Sequence, residues 1–552
     1  MIDLIKQRIK TVLDHDDVII ETPKKGMADL AVPLFAHARK QGVSPKVVYD
    51  KVAEVVQDIP EIVRTEFSNG FLNIFLVRSV VGEVILKDIL SRDHTYGTSD
   101  EGKDKTVVMD YSSPNIAKRF SVGHLRSTMI GNALRHLYEK GGYKVVSINH
   151  LGDWGTQFGK MIVAYRLWGD DTLIKANPID ELQKLYVRFH KAAEDDDALE
   201  QQARDALLKL EQGDSETVML WQWFKDESLR EFMDMYDLLG VSFDAHAGES
   251  FYNDKMEPVV EQLDKLGLLR IDEGATIVDL EDMPPALIKR SDGATLYMTR
   301  DLTALLYRHE TYHFDKIIYV VGNEQKLHFR QLKALSDKMG HDFDLVHVNF
   351  GLVLVDGKKM STRSGRYTRL EDVVNQAIAD AKTAIMAKNP NLQDKDDVAR
   401  AVGIGALIFN DLKNERHLDI DLNLEHMLTF EGHTGPYLQY SGVRIASILK
   451  DSTLDLVKAD MSAYEENHYF EVVKLLAQFP EIIEKARLQH APNILARYLI
   501  NLAQSFNTFY GKEKILVEEE GRLQANLLFI KAIQIVLFEG LRLLGMTPLD
   551  EM

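Results

Sequence analysis

Two short segments of the chain carry residue types suited to an anion. The first, "SSPNIAKRFSVGHLRST" from Ser112 to Thr128, sets a proline, a lysine and a Gly-His pair directly before helix-forming sequence. Pro114 fixes its own φ and biases Ser113 towards extended backbone, so the chain enters the segment in a set direction. Gly123 permits close backbone approach, and the following helix offers unpaired N–H groups and the positive end of its dipole. A phosphate fits there, with His124 as a hydrogen-bond donor and Lys118 as a mobile charge. Taken alone, a Gly-His pair is better explained by a buried loop whose histidine caps the helix. The second segment, "GKKMSTRSG" (Gly357 to Gly365), follows the strand-like "GLVLV" and sets Lys358, Lys359 and Arg363 among glycines, serines and threonines, with Arg366 just beyond. It suits a loop over a polyphosphate and, equally, an ordinary basic surface loop. It is not a Walker A loop, because Lys358 is followed by Lys359 rather than by Ser or Thr.

The surrounding elements must position these segments. "TVVMD" (Thr106 to Asp110) reads as a buried strand, and a helix is expected from about His124 to Lys140, with Leu125, Met129, Ala133 and Leu137 on one face and Gly141-Gly142 ending it. "YKVVSIN" reads as the next strand. Strand, loop, helix, strand is a βαβ unit, which implies a parallel sheet with ligands at the C-terminal ends of its strands. Residues 1 to about 100 read as two helices, the strand "GFLNIFL" (Gly70 to Leu76) and an apolar helix, closed by the polar linker "SRDHTYGTSDEGKDK". Helices are expected from about Asp180 to Leu239. Strand-like text returns at "GATIVDL", "ALIKRSDGATLYMTRD", "KIIYVVG" and "DLVHVNFGLVLV", and helices continue from about Glu371 to the end. The expected fold class is multidomain α/β: a small α+β domain over 1–104, a Rossmann-type parallel-sheet core over 105–372 with a helical insertion at about 170–250, and an all-α domain over 373–552.

Composition limits the function. With 552 residues the chain exceeds a single hydrophobic core, and 45% apolar with 27% charged residues is a globular composition. The absence of cysteine excludes disulfides, zinc ribbons and thiol nucleophiles. A net charge of -19 argues against non-specific coating of nucleic acid, although a local basic track remains open. No apolar run is long enough for a membrane span, and the acids in "MIDLIKQRIKTVLDHDD" do not suit a signal peptide. A cytoplasmic protein is expected.

Together, in this order, the two segments resemble the paired H-x-G-H and K-M-S-K-S signatures of class I aminoacyl-tRNA synthetases. The strings "SSPNIAK" with "SVGHLRST", "NHLGDWGTQFG", "VVGNEQKLHF", "GKKMSTRSG" and "FEGHTGPYLQY" narrow the likeness to the arginyl-tRNA synthetases, and it runs the length of the chain. The resemblance implies a Rossmann catalytic domain, an N-terminal tRNA-binding domain that includes "GMADLAVPLFAHARKQG", and a helical anticodon-binding domain. It implies ATP-dependent ligation of L-arginine to tRNA(Arg) through an arginyl-adenylate, with Mg2+ carried by the nucleotide and neither zinc nor a prosthetic group. A monomer is the family's usual state, and tRNA is often needed before arginine is activated.

Residue by residue, the resemblance assigns ATP binding and catalysis to Ser112, Pro114, Lys118, Ser121, Gly123, His124, His328, Lys359, Met360, Ser361 and Arg363. It assigns the arginine side chain to Tyr297, Asp301 and Gln325, and the region of its α-amino group to Asp110 and Asn115. A guanidinium is a permanently charged planar fork of donors, so a carboxylate and an aromatic face four residues apart suit it. The chain departs from the class pattern twice: Ser121 replaces the first histidine of H-x-G-H, and Thr362 replaces the second lysine of K-M-S-K-S. In this family the lysine before H-x-G-H, here Lys118, is held to replace the second loss. Tyr437, Gln439 and Arg444 are candidates for stacking on unpaired anticodon bases, whereas Phe506 and Leu438 are expected in helix cores. Two other readings fit parts of the text. A different class I synthetase or a small nucleotidylyltransferase shares H-x-G-H, but Tyr297 with Asp301 disfavours a neutral substrate. An inactive tRNA-binding paralogue is supported by Ser121 alone.

Overall fold

The computed structural model describes residues 2–13, 18–21, 23, 28–116, 119–291, 296–355, 358–359 and 369–552. They gather into two compact units. One comprises Met1–Tyr96, Ile448–Phe479 and Leu502–Val536; the other comprises Gly97–Ser447, Pro480–Asn501 and Leu537–Met552. No helix among the described residues is long and apolar enough to cross a membrane.

The second unit is built on four parallel strands: β1 (Thr106–Asp110), β2 (Lys144–Ile148), β3 (Lys316–Gly322) and β4 (Asp344–Phe350). Their spatial order is β4-β3-β1-β2. Asp110 pairs with Ile148 on one side and with Tyr319 on the other. The chain runs from β1 through α1 (Val122–Lys140) to β2, and later returns to the opposite side of β1 as β3. The strand order therefore reverses between β1 and β3, and a crevice opens beyond their C-terminal ends, where open α/β sheets bind ligands.

Helix α1 has the expected apolar face, with Leu125, Met129, Ala133 and Leu137 all buried. It is buried on other faces too. Gly131 lets it lie against the exit of β1, since a Cβ there would stand 2.2 Å from the Tyr111 ring. At its C-terminal end Gly142 takes φ +83°, the left-handed conformation that favours glycine. Between β2 and β3 lie the insertion helices, among them α2 (Pro178–Ala193) and α3 (Ser215–Leu239), and then α4 (Tyr297–Tyr312). Helix α5 (Lys326–Lys338) connects β3 to β4. Leu302, Leu305, Leu332 and Leu335 from α4 and α5 pack on Val108, Ile148 and Ile317 of the sheet, forming one core beneath the crevice.

After β4 come β5 (Val353–Val355), β6 (Lys358–Lys359) and α6 (Leu370–Lys388). β5 pairs antiparallel with β6 and parallel with a strand at Ile420–Leu422. Farther on, α7 (Gly435–Leu449) opens the run of C-terminal helices.

Three readings of the sequence need correction. "ALIKRSDGATLYMTRD" forms a strand only over Ala286–Lys289; from Tyr297 it is helix, because Met298, Leu302 and Leu305 face the core at helical spacing and outweigh the β-favouring "TLYMT". The strand at Phe71–Leu76 is joined by two others that the sequence did not reveal, Leu30–Pro33 and Ile62–Ser68, in an antiparallel sheet of the first unit. The Ile420–Leu422 strand interrupts the helical stretch after Glu371.

Candidate active site

The chain leaves β1 at Asp110 through an unusual bend. Ser112 and Ser113 have φ of +70° and +50°, a conformation that costs a side-chain-bearing residue energy and persists only where neighbours enforce it. This corrects the extended backbone expected for Ser113 before Pro114. The enforcing bonds are visible: the Ser113 amide donates to Asn149 Oδ1 at 3.2 Å, and its hydroxyl donates to Asp110 Oδ1 at 2.9 Å. Ser112 is buried, with its hydroxyl 2.7 Å from both Tyr236 Oη and Thr128 Oγ1. Its side chain shapes the bend. Pro114 is buried as well, and its carbonyl accepts the Gly152 amide at 3.0 Å. Asn115 is exposed beside Gly152, where a Cβ would stand 2.2 Å from Asn115 Oδ1. The glycine of "NHLGDWG" thus makes room for the asparagine.

Ser121 is the N-cap of α1, and His124 completes a reciprocal capping pair with it. The Ser121 amide donates to His124 Nδ1 at 3.2 Å. A backbone N–H can only donate, so Nδ1 is the acceptor and the ring proton sits on Nε2. Phe120 stacks on the imidazole at 5.3 Å between centroids and 2° between planes, which fixes the ring's orientation. The two sequence alternatives for His124 are therefore compatible: one ring nitrogen caps the helix while the other is an N–H donor. Gly123, inside the first turn, has little near its missing Cβ beyond Ser121 Oγ at 3.5 Å.

The far end of the crevice is acidic and already neutralised. Tyr297 opens α4 and is 63% exposed, with Asp301 one turn later on the same face. His328 Nε2 lies 2.6 Å from Asp301 Oδ2, and His150 Nε2 lies 4.0 Å from Oδ1. Burial alone would raise the Asp301 carboxyl; the hydrogen bond from His328, with the charges of His328, His150 and Arg308, outweighs it and holds the group below its ordinary value. Arg308, fully buried, pairs with Asp110 Oδ2 at 2.8 Å. Its other arm lies 3.3 Å from His150 Nδ1, which in turn is 2.9 Å from the Ala247 carbonyl. Asp110, Arg308, His150, Asp301 and His328 thus form one continuous polar row across the crevice floor, so His328, expected with the nucleotide, lies against the Asp301 carboxylate instead. Gln325 stands exposed at the exit of β3, three residues before His328.

Sequence reasoning missed three members of this site. His150 lies within the quoted "NHLGDWG", which was a signal of a kind. Arg308 and Glu249 have none nearby: they reach the crevice from α4 and from the turn at Glu249–Lys255. Glu249 lies 3.9 Å from Arg300, and burial, only partly offset by Arg300, pushes its carboxyl up to about 7.

Lys118, Met360, Ser361 and Arg363, together with the side chain of Lys359, lie outside the described residues; the Lys359 backbone pairs with Leu354. Gln439 is corrected. It is wholly buried and donates to the carbonyls of Ala401 at 3.1 Å and Thr547 at 2.9 Å, so no base can reach it. Tyr437 is half-buried, and the Arg444 guanidinium lies 4.9 Å over the Tyr440 ring. Phe506 and Leu438 are in helix cores, as expected.

Known proteins resemble this chain in sequence, domains and fold. The family model described as tRNA synthetases class I (R), catalytic domain, matches residues 85–424; the DALR anticodon binding domain matches 438–552, and the arginyl tRNA synthetase N-terminal domain matches 1–76. Arginine–tRNA ligase 2 of Bacillus anthracis is 50% identical over 97% of this chain and 95% of its own length. Arginine–tRNA ligase of Streptococcus pneumoniae is 47% identical over 100% and 99%. The arginyl-tRNA synthetase of Thermus thermophilus shares the fold, with a TM-score of 0.84 at 23% identity over 100% of this chain and 99% of that one. On its sequence, its domains and its fold, the chain belongs to the arginine–tRNA ligase family of class I aminoacyl-tRNA synthetases.

Proposed function

We propose that this arginine–tRNA ligase divides its reaction between the two ends of the crevice, with the ATP triphosphate at the start of α1 and the arginine side chain at Asp301. The substrate carboxylate attacks the α-phosphorus in line, the bond to the bridging oxygen breaks, and pyrophosphate leaves with Mg2+ that the nucleotide brought. Charge accumulating on the phosphate is met by the His124 Nε2–H, by the amides of the first turn of α1 and by Lys118, Lys359 and Ser361. The 2'-hydroxyl of the terminal tRNA ribose then attacks the adenylate carbonyl, and AMP leaves. No covalent enzyme intermediate is needed.

At the other end Asp301, Glu249 and Gln325 face the guanidinium, the Tyr297 ring covers its plane, and Asp110 and Asn115 orient the α-amino end. Asp301 carries this reading: it is an ionised carboxylate, 28% exposed, whose burial cost is already offset by two imidazoles and Arg308. A permanently charged substrate finds an anion fixed in place. Residues 1–104 serve the tRNA elbow, 105–372 the chemistry and 373–552 the anticodon, where Tyr437 and Arg444 remain the candidates for base contacts. The enzyme acts as a cytoplasmic monomer without zinc or a prosthetic group.

Pyrophosphate exchange in the presence of cognate tRNA tests the assignment. Exchange is expected with arginine, and not with lysine or citrulline; comparable exchange with citrulline, which lacks the charge, would contradict it.

A further inference from the structure

The insertion helix α2 reaches both borders of the nucleotide end through one carboxylate. Asp180, in the first turn of α2, pairs through Oδ1 with Arg119 and through Oδ2 with Arg369 at 3.0 Å. Asn177 Nδ2 donates to the same Oδ2 at 3.1 Å, and Gln183 Oε1 accepts the Arg119 amide at 3.3 Å. Arg119 stands two residues before the N-cap of α1, and Arg369 directly precedes α6. The two backbones also meet: Ser121 and Arg369 form an antiparallel bridge, and the Leu370 amide donates to the Phe120 carbonyl at 3.0 Å.

The surroundings favour two arginines here. A 390 Å³ cavity beside them is walled in part by Glu231, Asp234 and Glu371. The side chains of Asp180 and Arg119 are 18% and 13% exposed, so the cluster is shielded beyond an ordinary surface ion pair. Remove the Asp180 charge, and the two guanidinium groups lose the carboxylate they share; Arg369 keeps Asp372 at 3.8 Å, in α6, while the tie from α2 to both segments is gone.

We infer that Asp180 is a positioning residue for ATP: from the insertion it holds the two chain segments that border the start of α1. It touches no substrate. Because displacement of a binding group by about 1 Å can cost as much as a hundredfold, its loss should weaken use of ATP and leave the arginine end, which it does not contact, as it was. The inference rests on the proposed reading of the α1 start as the triphosphate end.

The test uses the full chain with Asp180→Asn, Arg369→Gln and the double variant, in pyrophosphate exchange with tRNA. Asp180→Asn is expected to raise KM for ATP about tenfold and to lower the thermal midpoint by a few degrees, with KM for arginine little changed. The double variant should be no worse than the more impaired single one, because both remove the same clasp. Should Asp180→Asn fail to fold, Arg369→Gln carries the test alone. An unchanged KM for ATP, an equal rise in KM for arginine, or fully additive effects overturns the inference. His124→Asn separates the two levels. If it retains the wild-type kcat, the reading of the α1 start is at fault; if it loses kcat while Asp180→Asn behaves as wild type, only the role of Asp180 falls.

Discussion

At the proposed arginine end of the crevice the acids of the polar row are held by partners of opposite or switchable charge: Asp301 by His328 at 2.6 Å, Asp110 by Arg308 at 2.8 Å. At the start of α1 the described groups are neutral: the Ser121 hydroxyl, a His124 ring whose Nδ1 accepts an amide, and backbone N–H groups. Charge there stands behind the helix start, in the Arg119, Asp180 and Arg369 cluster. Under the proposed assignment the difference follows from the two substrates. A guanidinium never loses its charge, so its site needs a fixed anion, and an anion left without partners in a crevice would be costly. A triphosphate can be met by a helix dipole and oriented donors, which require no counter-charge while the site is empty.

Breaking the arginine end should have the largest effect. Asp301→Asn keeps the shape and both histidine neighbours but removes the anion, and kcat/KM for arginine is expected to fall by about 10^3–10^4, with KM for ATP unchanged. A loss of tenfold or less, measured by exchange, would mean that the row from Asp110 to His328 is structural.

His124→Asn breaks the other end. If the Nε2–H meets charge on the phosphate, kcat for exchange drops about a hundredfold while KM for arginine holds. Were capping the residue's whole contribution, the variant would lose helix stability and keep its rate.

The smallest effect sharpens the picture of what lies behind α1. Burial, with Glu371 and Asp234 nearby, pushes the Glu231 carboxyl up to about 7 from an ordinary 4.5. Stability from keeping that group protonated is fully present below 4.5 and is lost as the pH rises through 7. Glu231→Gln should therefore raise the unfolding midpoint by about 2–4 °C at pH 8 and have little effect near pH 4. An equal shift at both pH values would place the carboxylate in ordinary solvent.

How far the sequence revealed this molecule depended on how local each signal was. Helix α1 was legible because its apolar spacing and the Gly141-Gly142 stop lie within twenty residues, and β1 because "TVVMD" is buried from Val107 onward. The Ile62–Ser68 strand was not, since most of its residues are exposed or half-exposed and show no alternation. Tyr297 to Asp301 read as strand because their residue types favour one, and only the packing of α4 on the sheet decides otherwise. In the site, the motif residues His124 and Asp301 stood out. Glu249 and Arg308 did not, because each meets its partners across long stretches of chain, and a buried charge leaves no periodic trace. The left-handed backbone at Ser112 and Ser113 contradicted the local rule for a residue before proline, and the bonds that enforce it come from Asn149, Ser127 and Tyr236.

The most direct measurement is a crystal structure of the full chain with L-arginine and a non-hydrolysable ATP analogue. A phosphate oxygen about 3 Å from His124 Nε2, with the guanidinium against Asp301 and the Tyr297 ring, is the expected result. A triphosphate lying away from the start of α1, or a guanidinium paired with some other carboxylate while Asp301 keeps only its histidines, would contradict it.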